Sequence, residues 1–232
     1  MRLICFSLWG NKPRYVVGAI RNAQLAPCFY PGWTCRFYCA ASVPEDAVAT
    51  LAALPHVEVV RREAPDDWTS LLWRFEPAGD PAVEVMLSRD ADSRLGARER
   101  AAVEDWLARG APFHTMRDHP LHDRPILGGL WGARRGALPE LPALLAAFPA
   151  EDRWQTDQDF LNTVVVPRVS SSWVEHDAYF AGAPFPTRRR GREFVGQPFD
   201  ENDRPLIQGP TELESKLRRI ARDALVWAGL RR

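Results

Sequence analysis

The chain has 232 residues, 46% of them hydrophobic, and its 30 basic and 30 acidic side chains cancel. This length and apolar content suit one α/β domain with a real core and exclude a disordered chain. Zero net charge argues against a nucleic-acid binder or a membrane-surface protein, both of which are usually basic.

The first half alternates strands and helices. Leu3 to Trp9 reads as a buried strand, and Tyr15 to Phe29 as a helix ending at the Pro31-Gly32 turn. Cys35 to Ala40 is a second strand. Ser42 and Glu45 have capping-box spacing for a helix through Leu54. Val57 to Val60 is a third strand, "DDWTSLLWRFEPA" is helical, and Ala82 to Leu87 is a fourth strand. A helix from Ala97 to Ala108 is closed by Gly110. This order predicts an α/β fold with a mixed, mostly parallel, Rossmann-like sheet flanked by helices. The four cysteines fall within the first forty residues without CxxC spacing, and Cys5, Cys35 and Cys39 read as small core residues. Neither a secretory leader nor a membrane span is read in the sequence, so a reduced, cytoplasmic setting is expected.

The second half is less regular. "FHTMRDHP" and "PILGGLWGA" read as short strands joined by a polar loop, "LPELPALLAAF" as a short helix, Asp157 to Val166 as a helix with acids in its first turn, and "SSWVEHD" as a late strand. "PFPTRRRGREFVGQP" is a long irregular loop. From Thr211 the tail reads as an amphipathic helix, with a Thr211–Glu214 capping box and a packing stripe of Leu213, Leu217, Ile220, Ala224 and Trp227.

"SRDADSR" follows the fourth strand and sets Asp90 and Asp92 one residue apart between Arg89 and Arg94. Ligands of open α/β sheets bind beyond the carboxyl ends of strands. If the backbone stays extended, both carboxylates face one side and can hold Mg²⁺ or Mn²⁺, which take oxygen ligands and share substrate phosphates. The alternative is a solvated turn in which the two aspartates pair with the flanking arginines. Gly128 and Gly129 lie inside an apolar run, where a ligand can approach backbone. Arg74 is placed to reach the nucleotide or Asp90, or else is a surface arginine. Trp9 and Tyr15 flank the end of the first strand, as base-stacking or core aromatics.

The succession of "DAD", a Gly-containing apolar strand, "DQDFLN" and a late strand-end histidine resembles the retaining nucleotide-sugar glycosyltransferases of the GT-A fold, the group of glycogenin and the lipooligosaccharide galactosyltransferases. "SLWGNKPRYVVGAIRNAQLA" and "FVGQPFDEND" also look like an uncharacterised bacterial and viral glycosyltransferase-like family. The resemblance implies a hexose moved from a nucleotide-diphosphate sugar to a saccharide or similar acceptor, with retention. It implies Mn²⁺ or Mg²⁺ on Asp90, Asp92 and His176, with Asp157 and Gln158 beside the anomeric carbon. Where that group has Lys-Pro-Trp this chain reads "APFPTRRR", so Arg188, Arg189 or Arg190 would clamp the diphosphate, with Arg188 taken first. Trp9, Tyr15, Arg74 and Gly129 would complete the donor site. Residues 1–110 would form the nucleotide-binding half of a single domain, 111–210 the acceptor side, and 211–232 a packing helix.

"FHTMRDHPLHDRP" invites a second reading, a metal-dependent phosphohydrolase using His119, His122 and Asp123. Pro120 and Pro125 oppose the helix that would align those histidines, and a polar acceptor loop with Arg117 and Asp118 touching substrate is preferred. A non-catalytic nucleotide-sugar-binding module is the third reading. Neither GxxxxGK[ST], GxGxxG nor GxSxG occurs, which disfavours P-loop enzymes, common nicotinamide enzymes and α/β-hydrolases. "TRRRGR" in a neutral chain does not make a nucleic-acid site.

Overall fold

The structure is a computed structural model that describes residues 1–63, 66–180 and 183–211, together with 214, 217, 220 and 221. Its strands are β1 (Arg2–Leu8), β2 (Thr34–Ala40), β3 (Val57–Arg62), β4 (Val85–Ser88), β5 (Phe113–Arg117), β6 (Trp131–Arg134) and β7 (Trp173–Asp177). They form one seven-stranded sheet in the order β3-β2-β1-β4-β6-β5-β7. β6 pairs antiparallel with both β4 and β5, while every other pairing is parallel. The α/β, mostly parallel architecture read from the sequence is therefore the architecture of the chain.

Alternation along β1 explains why both faces are covered. Ile4, Phe6 and Leu8 join one buried cluster with Phe37, Val103 and Trp106. Leu3 and Cys5 point the other way, into a cluster with Phe75, Met86, Trp131 and Phe160. The first face is covered by helices α1 (Pro13–Phe29), α2 (Glu45–Ala52) and α3 (Ala97–Arg109). The second is covered by the 3₁₀ segment Trp68–Gly79, by α4 (Leu141–Ala147) and by α5 (Thr156–Phe160). Cys5, Cys35 and Cys39 are buried core residues, and Cys28 is exposed.

Several expectations are corrected. Ser42 and Glu45 form no capping box: the Ser42 hydroxyl accepts from the Gly10 N–H at 2.7 Å, and Glu45 pairs with Arg61. Gly128 and Gly129 lie in the turn before β6, not in the strand. The helix after Asp157 breaks into α5, a π turn at Leu161–Val165 and α6 (Val166–Val169). Pro167 has no N–H to give and would crowd an ordinary α turn, and the wider turn accommodates it. Thr211 and Glu214 do exchange capping hydrogen bonds, of 2.6 and 3.3 Å. Of the stripe expected to pack, Leu217 and Ile220 are each 56% exposed; Leu213, Ala224 and Trp227 lie outside the described residues. Among the described residues no helix is long and apolar enough to cross a membrane.

Candidate active site

The chain passes β1 to β2 on one side of the sheet and places β4 on the other side of β1. The ends of β1 and β4 thus form the switch point where open sheets bind ligands. A cavity of about 680 Å³ opens there, between the segment after β1, the loop after β4, the segment from Leu121 to Leu130, and the start of α5. Asp90, Asp92, Arg74, Trp9, Tyr15, Asp157 and Gln158 all line it.

The loop carrying the two aspartates is a turn, not an extended strand end. The Ser93 N–H and hydroxyl both reach the Asp90 carbonyl, at 3.2 and 2.9 Å. α1 holds this turn from behind. The buried Asn22 amide donates to the carbonyls of Ala91 (3.2 Å) and Ser93 (2.8 Å) and accepts from the Leu95 N–H (3.0 Å). Gly18 lets the helix approach, since a β-carbon there would overlap the Ala91 carbonyl. The Phe199 N–H donates to the Asp92 carbonyl at 2.9 Å.

The flanking arginines do not neutralise the pair. Arg89 is fully buried on Glu99 (2.7 Å), and Arg94 pairs with Asp203 (2.8 Å). Arg74 takes that role. It is buried, and its guanidinium forks between Asp90 at 2.5 Å and Asp157 at 2.9 Å, with a third bond to the Arg89 carbonyl at 3.1 Å. Its backbone N–H is fixed on the Ser7 hydroxyl at 3.2 Å. Among the described residues the ion-pair partner of Asp92 is Arg14, at 3.8 Å, with Arg74 acting on it from farther away. Burial, then the charge of Asp90, pushes the Asp92 carboxyl up to about 6. Burial likewise raises Asp157, against the pull of Arg74.

The two glycines are explained by these same groups. A β-carbon at Gly129 would overlap the Asp90 carboxylate, and one at Gly128 would overlap Asp157 and Arg74. The space beside them belongs to the protein's own side chains, and Gly129 itself does not line the cavity. Gln158 ties down the same turn: it accepts from the Gly128 N–H at 3.3 Å and donates to the Ile126 carbonyl.

Other expected residues are not brought to the cavity. His176 is buried between Asp105 (3.0 Å to Nε2) and His114 (2.8 Å to Nδ1), so both ring nitrogens are occupied. Among the described residues no cluster of three histidine, cysteine or carboxylate side chains is arranged to hold a metal. Arg188 is exposed and outside the lining. Its neighbour Arg189 reaches Asp118 instead, at 2.8 Å. Asp118 is fully buried, also receiving Arg98 (2.8 and 2.9 Å) and the Val195 N–H (3.0 Å). Arg117 is spent on Glu175 and Asp177. Neither Arg117 nor Asp118 lines the cavity; their ion pairs tie β5 to β7, α3 and the loop carrying Arg189.

The histidine-rich loop is structural on one side. His119 accepts from the Leu121 N–H through Nδ1 at 3.1 Å and packs on Phe194 at 4.4 Å. His122 accepts from the Asp118 N–H through Nδ1 at 3.1 Å, lines the cavity, and is pushed down to about 3 by burial. Asp123 is exposed, 3.9 Å from Arg124. Lys12 and Arg124 are the exposed cations of the lining. Trp9 meets Trp68 edge to face at 5.8 Å, and Arg14 covers the Tyr15 ring at 4.4 Å. The sequence reading missed Arg14, Gly18, Asn22, Trp68 and Arg124. Arg14, Gly18 and Asn22 lie in the "SLWGNKPRYVVGAIRNAQLA" stretch, whose resemblance singles out none of them, and Trp68 and Arg124 are brought in by the fold.

No protein-family model matches the chain, and no curated protein matches it in sequence. Solved structures match in fold. A glycosyltransferase involved in the glycosylation of the major capsid of PBCV-1 superposes with a TM-score of 0.52 at 14% identity, over 78% of this chain and 83% of that one. Residues 1–349 of S. aureus TarS superpose with a TM-score of 0.52 at 10% identity, over 76% and 60%. The 4-diphosphocytidyl-2C-methyl-D-erythritol synthase of Anaerococcus prevotii gives 0.49 at 9% identity, over 96% and 98%. The fold expected from the sequence, that of GT-A glycosyltransferases, is the fold of this chain.

Proposed function

We infer that this chain is a metal-dependent glycosyltransferase that moves a hexose, with retention, from a nucleotide-diphosphate sugar to a saccharide acceptor. The observation that carries the reading is the Asp90–Arg74–Asp157 bridge, with Asp92 beside it, on the wall of a cavity at the switch point of the sheet.

The donor set suits a hard divalent cation. Asp92 is a partly buried carboxylate, its side chain 16% exposed, with Arg14 no nearer than 3.8 Å, and Asp90 uses one oxygen on Arg74 while its side chain stays 44% exposed. Mg²⁺ and Mn²⁺ are commonly held by one or two carboxylates and complete their sphere with water and substrate phosphate. Asp90 and Asp92 would hold the ion without His176. Bound there, it would neutralise charge growing on the departing diphosphate.

The chain's own residues do the rest. Lys12 and Arg124 replace Arg188 as the phosphate-facing cations of the rim. Arg74 fixes Asp157 toward the cavity, where a carboxylate stabilises positive charge developing at the anomeric carbon. Gln158 immobilises the Ile126–Gly128 turn that backs the sugar.

A thermal-shift screen of nucleotide sugars with and without Mn²⁺ tests the reading, since binding to the folded state alone raises the melting temperature. One donor is expected to stabilise the protein only with the metal, and to be turned over by wild type but not by Asp92→Asn. A donor that binds but is neither transferred nor hydrolysed on long incubation would reduce the chain to a binding module.

A further inference from the structure

Among the described residues the two most exposed large apolar side chains are Trp154, at 68%, and Leu121, at 67%, and both line the same cavity. Single exposed apolar side chains need no explanation. Two that share the rim of a polar cavity at a sheet switch point do.

Trp154 is also the tryptophan of this cavity whose face is unspent. Trp9 and Trp68 pack on each other, whereas among the described residues Trp154 has no ring, cation or hydrogen-bond partner. Its loop is nevertheless held firmly. Asp152 accepts from the Trp68 N–H at 3.1 Å, Arg153 pairs with Glu151 at 2.8 Å and with Asp159, and the Thr156 N–H donates to the Arg153 carbonyl at 3.2 Å. Gln155 takes a left-handed backbone, φ 73°, which a residue other than glycine adopts at a cost. A braced, strained loop thus presents an indole to solvent three residues before Asp157.

An indole face offered to water beside hydroxyl-binding groups is the complement of a pyranose ring, which has an apolar C–H face and a polar edge. Asp123 and Asp152 line the cavity with it and can bond ring hydroxyls. We propose that Trp154 is the stacking platform for a hexopyranoside acceptor, seated against the C–H face of the sugar with Leu121 on the rim. This assignment rests on the glycosyl-transfer reading for its role, but not for its binding chemistry.

Saturation-transfer NMR on the full chain, with methyl α- and β-glucosides, galactosides and mannosides as probes, tests it in the presence of UDP or GDP and Mn²⁺. At least one hexoside is expected to receive saturation on its ring C–H protons. Trp154→Ala should abolish that signal, and Trp154→Phe should keep at least half of it. The thermal shift produced by nucleoside diphosphate with Mn²⁺ should be the same in Trp154→Ala as in wild type. A hexoside signal unchanged in Trp154→Ala, no hexoside signal in wild type, or a Trp154-dependent signal from decyl phosphate alone would each overturn the proposal. So would loss of the nucleotide shift in Trp154→Ala, which would make the indole a base-stacking group. Hexoside binding through Trp154 with no nucleotide shift in wild type would uphold the platform and sink the transferase reading instead.

Discussion

At Arg74 one buried cation serves two carboxylates that are sixteen and eighty-three residues away in the chain. Removing one partner of a buried pair leaves the others uncompensated, so Arg74→Ala should lower stability by about 3 kcal/mol in urea unfolding and abolish transfer. Arg74→Lys keeps the charge but not the fork, and should retain more of the stability than of the activity. Asp92 has the opposite energetics. Its folded-state value, about 6, lies above the ordinary 3.8. The stability it contributes is therefore full below the unfolded value and is lost as the pH rises through about 6. Above that pH the carboxylate is ionised where burial and Asp90 oppose it, at a cost of about 3 kcal/mol. Asp92→Asn should consequently melt higher than wild type at pH 7.5, with the gain vanishing near pH 4, while losing catalysis. An Asn variant that melts lower than wild type at pH 7.5 would show that Asp92 is not held against its charge.

The element that matters most for this geometry is α1, which carries no catalytic group in the proposed mechanism but mounts the aspartate turn. Asn22 satisfies two carbonyls and one N–H of that turn, all buried. Asn22→Ala would leave the Ala91 carbonyl and the Leu95 N–H without their partner, the Ser93 carbonyl keeping Arg94 at 2.8 Å, and should cost on the order of 3 kcal/mol by chemical denaturation. Asn22→Asp, nearly the same shape, would set an acceptor against two carbonyls and should do no better. The strands around this turn were readable because period-2 patterning and apolar runs give the same answer as tertiary burial: β1, β2 and β4 fall within a few residues of their expected bounds. Gly110 likewise closes α3 with φ 73°. Where a local signal met a tertiary demand, the tertiary demand won. Ser42 has a capping-box partner in sequence, yet its hydroxyl is used by Gly10 at the cavity mouth. Gly128 and Gly129 read as room for a ligand but make room for Arg74, Asp90 and Asp157. Arg89 and Arg94 flank the aspartates in sequence but pair with Glu99 and Asp203, Arg94 meeting only the backbone carbonyls of the turn, while the cation that meets the Asp90 carboxylate comes from the 3₁₀ segment. The strand-end position of Asp90 and Asp92, and the "DQD" at the start of α5, were legible because strand ends and helix starts are local. Which cation, which glycine and which histidine would meet them depends on contacts across the chain that no spacing encodes.

For the molecule as a whole, opposing groups set the response to acid. His114, His122 and His176 are all held below the ordinary histidine value, burial being the first cause in each. His114 and His176 face each other at 2.8 Å, with Asp105 on the outer nitrogen of His176, Arg109 and Arg98 nearby, and Trp106 stacked on His114 at 5.1 Å. A group with a depressed folded value loses its contribution as the pH falls from the unfolded value toward the folded one, because only the unfolded chain takes up the proton. The window for all three opens near pH 6.5 and extends downward. For His122, held at about 3, the loss by pH 5 is on the order of 2 kcal/mol. Asp92 works against this: its protonation below about 6 favours the folded chain, returning about 1 kcal/mol over the same range. Three histidines, set against Asp92 and against Asp157, Glu76 and Glu175, whose smaller upward shifts act mainly at lower pH, predict a net decline. The urea midpoint should be highest near pH 7 to 7.5 and fall steadily to pH 5, before most carboxylates have titrated. His122→Asn, which keeps an acceptor for the Asp118 N–H but cannot ionise, should flatten that decline in part. A midpoint that rises from pH 7.5 to pH 5 would mean that the buried histidines take up protons in the folded state, and that the His114–His176–Asp105 chain is an ion pair and not a neutral one.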